Sequence, residues 1–219
     1  DPEFVMSLPG AIAADTGIDV LTHAVEAYVS ILASDFTDGW AKQAVKLVFD
    51  YLEESVKKGT PIAREKMHNA ATIAGMAFAN AFLLAHKIGG EWHIPHGRTN
   101  GILLPHVIRY NGTIPTKLNI WPKIENYKAD VKFMELAQLI GLNPKTPAEG
   151  VEMFADACEE LCHKVGVVSN VESQGISREA WEESVHRIAM NAYEDQCTPA
   201  NPRMPMVKDM EDILRKIYD

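Results

Sequence analysis

The sequence runs to 219 residues, 47% hydrophobic and 23% charged, which is enough apolar material to fill one large core or two small ones. Its formal net charge of −9 and the lack of any basic run exclude a nucleic-acid footprint, because gripping phosphates takes clustered Lys and Arg. The longest apolar stretches, such as residues 73–84, stop short of the roughly 20 residues that span a bilayer, so no membrane partner is expected. Three cysteines, an odd number, point to a reducing, cytoplasmic compartment rather than a disulfide framework. The opening Asp1-Pro2-Glu3-Phe4-Val5 has neither a basic start nor a signal-type apolar run, and reads as the interior of a longer protein.

Gly and Pro divide the chain into long segments with few short β-branched runs, which predicts an all-α domain. Asp15-Thr16 are placed to cap a helix over residues 17–33, with Leu21, Ala24, Val25, Tyr28 and Val29 at helical spacing. A second helix starts at residues 35–38, its apolar stripe being Ala41, Val45, Leu47, Val48 and Leu52. A third begins near Pro61 and runs through residues 77–79, turning apolar on all sides as in a helix buried by others. The chain is irregular from Gly89-Gly90 to Pro95, and a helix follows over residues 97–108. Residues 111–130, with Pro115, Trp121, Pro122 and Tyr127, read as a loop. Helical periodicity returns over 131–140, 147–165 and 178–192. Residues 201–205 are extended because a residue before proline avoids the helical region. A last helix turns Val207, Met210, Leu214 and Ile217 inward. There is no internal repeat or linker, and one helical domain is the economical reading.

Two constellations carry chemistry. Asp19 and His23 are four residues apart, so a helix puts a carboxylate and an imidazole one turn apart on one face, where they can share a metal ion. Such pairs more often make a surface hydrogen bond, but Leu21, Ala24 and Val25 flank this one, and a buried charge must be paired or metal-bound. The second is the run Ala85-His86-Lys87-Ile88-Gly89-Gly90-Glu91-Trp92-His93-Ile94-Pro95-His96-Gly97, which gathers three of the eight histidines. His96, between Pro95 and Gly97, sits where the backbone turns and can aim its ring into a cavity. Neutral imidazole suits divalent iron or zinc. Cys158 and Cys162 share one apolar stripe and are assigned to packing. No G-x-G-x-x-G or other phosphate-cradling Gly-rich turn occurs.

Asp19-x-x-x-His23, the stretch from Met76 to Asn100, and Leu104-Pro105-His106-Val107-Ile108-Arg109-Tyr110-Asn111 resemble the C-terminal domain of the iron-containing alcohol dehydrogenase family. Residues 181–218, with Tyr193-Glu194-Asp195-Gln196-Cys197 and Asn201-Pro202-Arg203-Met204-Pro205, are similar to the end of the bifunctional aldehyde-alcohol dehydrogenases of fermentative bacteria. The resemblance covers nearly the whole chain. It implies a dehydroquinate-synthase-like helical fold over residues 1–219 and a metal, Fe2+ or Zn2+, held by one Asp and three His. Asp19, His23 and His96 match three of those ligands. His86 matches a histidine that lies near nicotinamide and substrate, with an implied role in proton relay. His93 is expected in a surface or loop position and His106 to be structural.

The fourth ligand of the family pattern falls four residues before Ala85-His86, where this sequence has Phe82. The run Ala81-Phe82-Leu83-Leu84-Ala85-His86 is shorter than that pattern, and losing about five residues from a helix rotates everything beyond by ~140°. The expectation is therefore that the natural chain carries further residues near Leu83-Leu84, one of them a ligand; a smaller shortening is expected near Gly59-Thr60-Pro61.

The function so implied is interconversion of a primary alcohol and an aldehyde with NAD(H), the metal acting as Lewis acid and the cofactor being bound mainly by an N-terminal domain absent from these residues. The 219 residues alone are expected to be inactive, and the complete protein to be a homo-oligomer, possibly a filament. Two rival readings accompany this one. Taken literally, Asp19, His23 and His96 are the two-histidine, one-carboxylate set of non-haem iron oxygenases. Alternatively, the segment is a non-catalytic assembly domain.

Overall fold

A computed structural model describes residues 2–78, 91–116, 126–168, 170–195 and 198–219. Among them the regular elements are all helical: α1 (Glu3–Met6), α2 (Gly10–Val29), α3 (Asp35–Lys57), α4 (Pro61–Phe78), α5 (His96–Gly112), α6 (Ala129–Leu139), α7 (Pro147–Lys164), α8 (Arg178–Tyr193) and α9 (Val207–Lys216), with 3-10 turns at Glu172–Gln174 and Thr198–Ala200. No described helix is long and apolar enough to cross a membrane.

Helix α2 departs from expectation at both ends. It starts at Gly10 behind Pro9, so Asp15 and Thr16 lie inside it rather than capping it. The Thr16 hydroxyl donates back to the Ile12 carbonyl at 2.8 Å, the usual use of a threonine in a helix interior. The small residues of the first turns make no apolar stripe that would have marked the start. The helix stops at Val29 instead of residue 33 because Ser30 turns extended (ψ 146) and the Ile31 N–H is taken by the Ala200 carbonyl at 3.2 Å. By contrast α3 begins where expected, with Ser34 and Thr37 forming a reciprocal capping box and Asp35 and Asp38 in the positive first turn. Its predicted stripe, Ala41, Val45, Leu47, Val48 and Leu52, is buried throughout.

Helix α4 packs on α2 and α3. It buries a single stripe, Ala63, Met67, Ala70, Ala74 and Ala77, while Ile62 is 64% and Met76 47% exposed. The expectation of burial on all sides fails: Ala and Gly make a helix look apolar all round, yet carry little surface that must be removed from water. Residues 113–116 and 126–128 of the expected loop are irregular, and Tyr127 is tied in by donating to the Asn111 carbonyl at 2.5 Å. Trp121 and Pro122 lie outside the described residues.

Helix α5 is the spine. Its Leu104 and Ile108 enter the larger core with α2, α3, α4, α6 and α7, whereas Ile102 and Leu103 enter a second core built on α8 and α9 around Trp181. Pro105 in mid-helix offers no N–H to the Gly101 carbonyl, and the Cys162 thiol lies 3.9 Å from that oxygen and donates to it. Cys158 and Cys162 are fully buried as packing residues, and burial pushes the Cys162 thiol up to about 12.

The start of α5 presses onto α2. A methyl group at Gly97 would lie 1.8 Å from the Asp15 carbonyl oxygen and 3.2 Å from Asp19 Cβ, so only a residue without a side chain lets the two backbones meet. At Gly17 the corresponding clash, 2.2 Å, is with a Leu52 methyl that can turn aside. Gly97→Ala is therefore expected to lower unfolding free energy by about 3 kcal/mol or more, and Gly17→Ala by about 1–2 kcal/mol, read from urea denaturation. Equal costs would show that the α2–α5 approach is not the tighter constraint.

Glu26, on the next turn of α2 after His23, is only 9% exposed, and among the described residues neither carboxyl oxygen has a partner. Burial, helped by the nearby Asp19 charge, raises its carboxyl well above the ordinary value of 4.5. The unfolded chain ionises near that ordinary value while the folded chain resists, so the stability present below it is lost as pH rises toward the folded value. Glu26→Gln should raise the melting temperature at pH 8 and lose that advantage as pH falls through the ordinary carboxyl range. A pH-independent difference would contradict a neutral buried acid.

Candidate metal centre

Asp19 and His23 lie one turn apart on α2, as their spacing requires. His96, 77 positions further along the chain than Asp19, arrives as the first residue of α5. Its Nδ1 stands 2.6 Å from Asp19 Oδ1, His23 Nδ1 stands 3.9 Å from Asp19 Oδ2, and the two imidazole centroids are 6.2 Å apart. The structure thus brings together the three residues singled out as ligands. Their side chains remain 27%, 25% and 32% exposed, which leaves the cluster open to a small molecule.

Local geometry explains how His96 gets there. Pro95 holds the N-cap extended (ψ 134), Gly97 permits contact with α2, and Arg98 locks the register by pairing with Asp15 at 3.1 Å. Asn100, which sequence reading missed, completes the cluster. It is 1% exposed, its Nδ2 donates to Asp19 Oδ1 and it lies 3.2 Å from His96 Nδ1. The available signal was its position one turn after His96, on the same face of α5.

Burial pushes the Asp19 carboxyl upward, but the His96 hydrogen bond, the His23 and His96 charges and the Asn100 hydrogen bond outweigh it and hold Asp19 below its ordinary value. Glu26, one turn beyond His23, has no such donors and goes the other way. One face of α2 therefore carries one carboxyl held below its ordinary value and one pushed above it.

In type, a carboxylate and two imidazoles fit divalent iron or zinc. Among the described residues, however, no three such side chains surround a common point, because Asp19 and His96 are closed on each other by their hydrogen bond. Coordination of one ion by all three requires that contact to open. His86 and the segment around Phe82, Leu83 and Leu84 lie outside the described residues. His93 is exposed in a loop with φ 54. His106 is half-buried on α5, its imidazole disfavoured as a cation by burial and by Arg109.

The model of the Fe-containing alcohol dehydrogenase family, C-terminal, matches residues 13–218. An aldehyde-alcohol dehydrogenase of Streptococcus pneumoniae serotype 4 is 57% identical over 223 residues, covering 100% of this chain and 25% of the relative. That alignment is longer than the 219 residues here, so it leaves gaps in this sequence opposite residues of the relative. The solved alcohol dehydrogenase from Oenococcus oeni is 32% identical with a TM-score of 0.87, covering 100% of this chain and 54% of that one. A sulfoacetaldehyde reductase from Bifidobacterium kashiwanohense, solved in complex with NAD+, is 26% identical with a TM-score of 0.78, covering 99% and 53%. The chain thus spans about a quarter of the curated relative and about half of each solved one. With the family model matched almost from end to end, an all-helical fold shared with solved members and the Asp19, His23 and His96 cluster in place, this chain belongs to the Fe-containing alcohol dehydrogenase family and corresponds to its C-terminal part.

Proposed function

We propose that this chain is the metal- and substrate-binding part of a cytoplasmic alcohol dehydrogenase that interconverts a primary alcohol and an aldehyde with NAD(H). The observation that carries the reading is the meeting of Asp19 and His23 on α2 with His96 on α5, within a chain of this family. Asp19, His23 and His96 would hold Fe2+ or Zn2+ together with a further residue from outside the described segments. The nicotinamide cofactor would be bound chiefly by another part of the polypeptide, in keeping with the missing Gly-rich phosphate turn and the NAD+ bound by one solved relative. Two buried free thiols, Cys158 and Cys162, support a reducing compartment.

When bound, the divalent ion supplies Lewis-acid polarisation of the substrate oxygen and the nicotinamide exchanges the hydride. The residues of this chain prepare the place for both. Asp19 keeps its negative charge through neutral pH, since its carboxyl is held below the ordinary range. Asn100 fixes the rotation of that carboxylate by donating to Oδ1. His86 is assigned the relay of the proton between substrate oxygen and solvent.

In the full-length protein, Asp19→Asn and His96→Ala should each reduce metal affinity by more than roughly 100-fold, beyond what loss of a supporting residue costs. The readouts are metal per chain by mass spectrometry and NAD+-dependent alcohol oxidation, which should fall together. Asn100→Leu should weaken metal binding by about 10–100-fold with the helical content unchanged. Full metal occupancy in both ligand variants would remove these residues from the centre.

A further inference from the structure

One non-glycine residue among the described residues has a positive φ: His93, at 54, three positions ahead of His96. The others with positive φ are Gly59, Gly141, Gly166 and Gly175. In that left-handed region the Cβ of an L-residue crowds the following carbonyl oxygen, so a side-chain-bearing residue stays there only where its surroundings hold it. The His93 side chain does not do so itself. It is exposed, and among the described residues its ring has no hydrogen bond or ion pair.

What holds it lies on either side. Residues 91–92 are helical and tied to the second core, Glu91 by its ion pair with Arg187 of α8 and Trp92 by packing. Ile94 is buried in the same core. Pro95 is extended (ψ 134), and Gly97 meets the Asp15 carbonyl on α2. Over residues 93–96 the chain must therefore leave a helical turn, sink Ile94 beside α8 and α9, and emerge with His96 Nδ1 at 2.6 Å from Asp19 Oδ1. A single left-handed residue ends a helix in so short a span, a place most often given to glycine and sometimes to asparagine.

We propose that His93 is a positioning residue of the metal centre: its left-handed backbone, not its imidazole, sets the direction in which the chain leaves the second core and delivers His96 to Asp19. This rests on the reading of Asp19, His23 and His96 as metal ligands. The residue type fits the task. Histidine, asparagine and aspartate enter the left-handed region more readily than other side chains, and β-branched residues are the worst tolerated there. A residue that prefers another φ would have to pull Ile94 from the core or His96 from Asp19. The second is the weaker anchor, since the His96 side chain is 32% exposed and Ile94 only 7%.

The test is the affinity of the metal-free full-length protein for Zn2+, measured by competition with a chromophoric chelator. His93→Asn and His93→Gly remove the ring but keep the left-handed backbone accessible, and should bind Zn2+ within roughly three-fold of the unaltered protein. His93→Val should bind it roughly 10-fold or more weakly with helical content retained, the loss expected when a ligand is misdirected. His93→Ala should fall between, and its deficit against His93→Asn carries the test if His93→Val does not fold. A residue needed only for stability would shift the urea midpoint and leave the zinc affinity of the folded protein alone; that result in His93→Val, or in His93→Ala where only the latter folds, would overturn the proposal. An equal loss in all four variants would overturn it too, by assigning the role to the imidazole. His96→Ala, run in parallel, keeps the two readings apart. Zinc bound as tightly in that variant as in the unaltered protein would remove the metal centre itself, whereas a loss confined to His96→Ala would remove only His93 from it.

Discussion

At the start of α5 the backbone of residue 97 passes so close to the Asp15 carbonyl on α2 that there is no room even for a methyl group. Much else hangs on that approach. It carries His96 to the Asp19 carboxylate, sets Asn100 against the same oxygen one turn later, and seats Gly101 against Ile18 and Cys162. Further along the same helix, Leu104 and Ile108 close the larger core while Ile102 and Leu103 close the smaller. A site assembled this way inherits the rigidity of two long helices, so its donors are placed by packing rather than by loop conformation.

The chemistry of the cluster depends on unequal treatment of similar groups. Asp19 and Glu26 sit on one helix, yet hydrogen bonds and imidazoles hold the first below its ordinary value while burial without a donor pushes the second above it. Arg64 shows the cationic version of the problem, since a guanidinium cannot neutralise itself by losing a proton; it is 5% exposed and gives one N–H to the Leu8 carbonyl. Partly exposed charges elsewhere are paired within the described residues. Lys132, for example, donates to both the Tyr28 carbonyl and Asp38, and Tyr28 in turn donates to Glu135, binding α2, α3 and α6.

Membership of the family also reduces the weight of the rival readings. Asp19, His23 and His96 are of the types in a two-histidine, one-carboxylate set, but they surround no common point among the described residues, and a chain that matches an alcohol dehydrogenase family over residues 13–218 gives no ground for an oxygenase. A purely structural assembly role would leave the gathering of Asp19, His23, His96 and Asn100 at an accessible place without a purpose.

The sequence by itself determined the helical class, the stripe of α3, the boundaries of α7 and α8 within a residue or two, and the Asp19–His23 pair, because each depends on spacing within one helix. It misplaced the ends of α2, where small residues carry little pattern and the stop is set by a bond from Ile31 to Ala200 near the other end of the chain. It overstated the burial of α4 because alanine looks apolar whether or not anything covers it. His96 was picked out by its setting between Pro95 and Gly97, but its meeting with Asp19, the help it receives from Asn100 and the burial of Glu26 without a partner were decided only in three dimensions. Those features depend on which faces of separate helices come into contact, and a packing contact between distant segments leaves no periodicity in the chain that makes it.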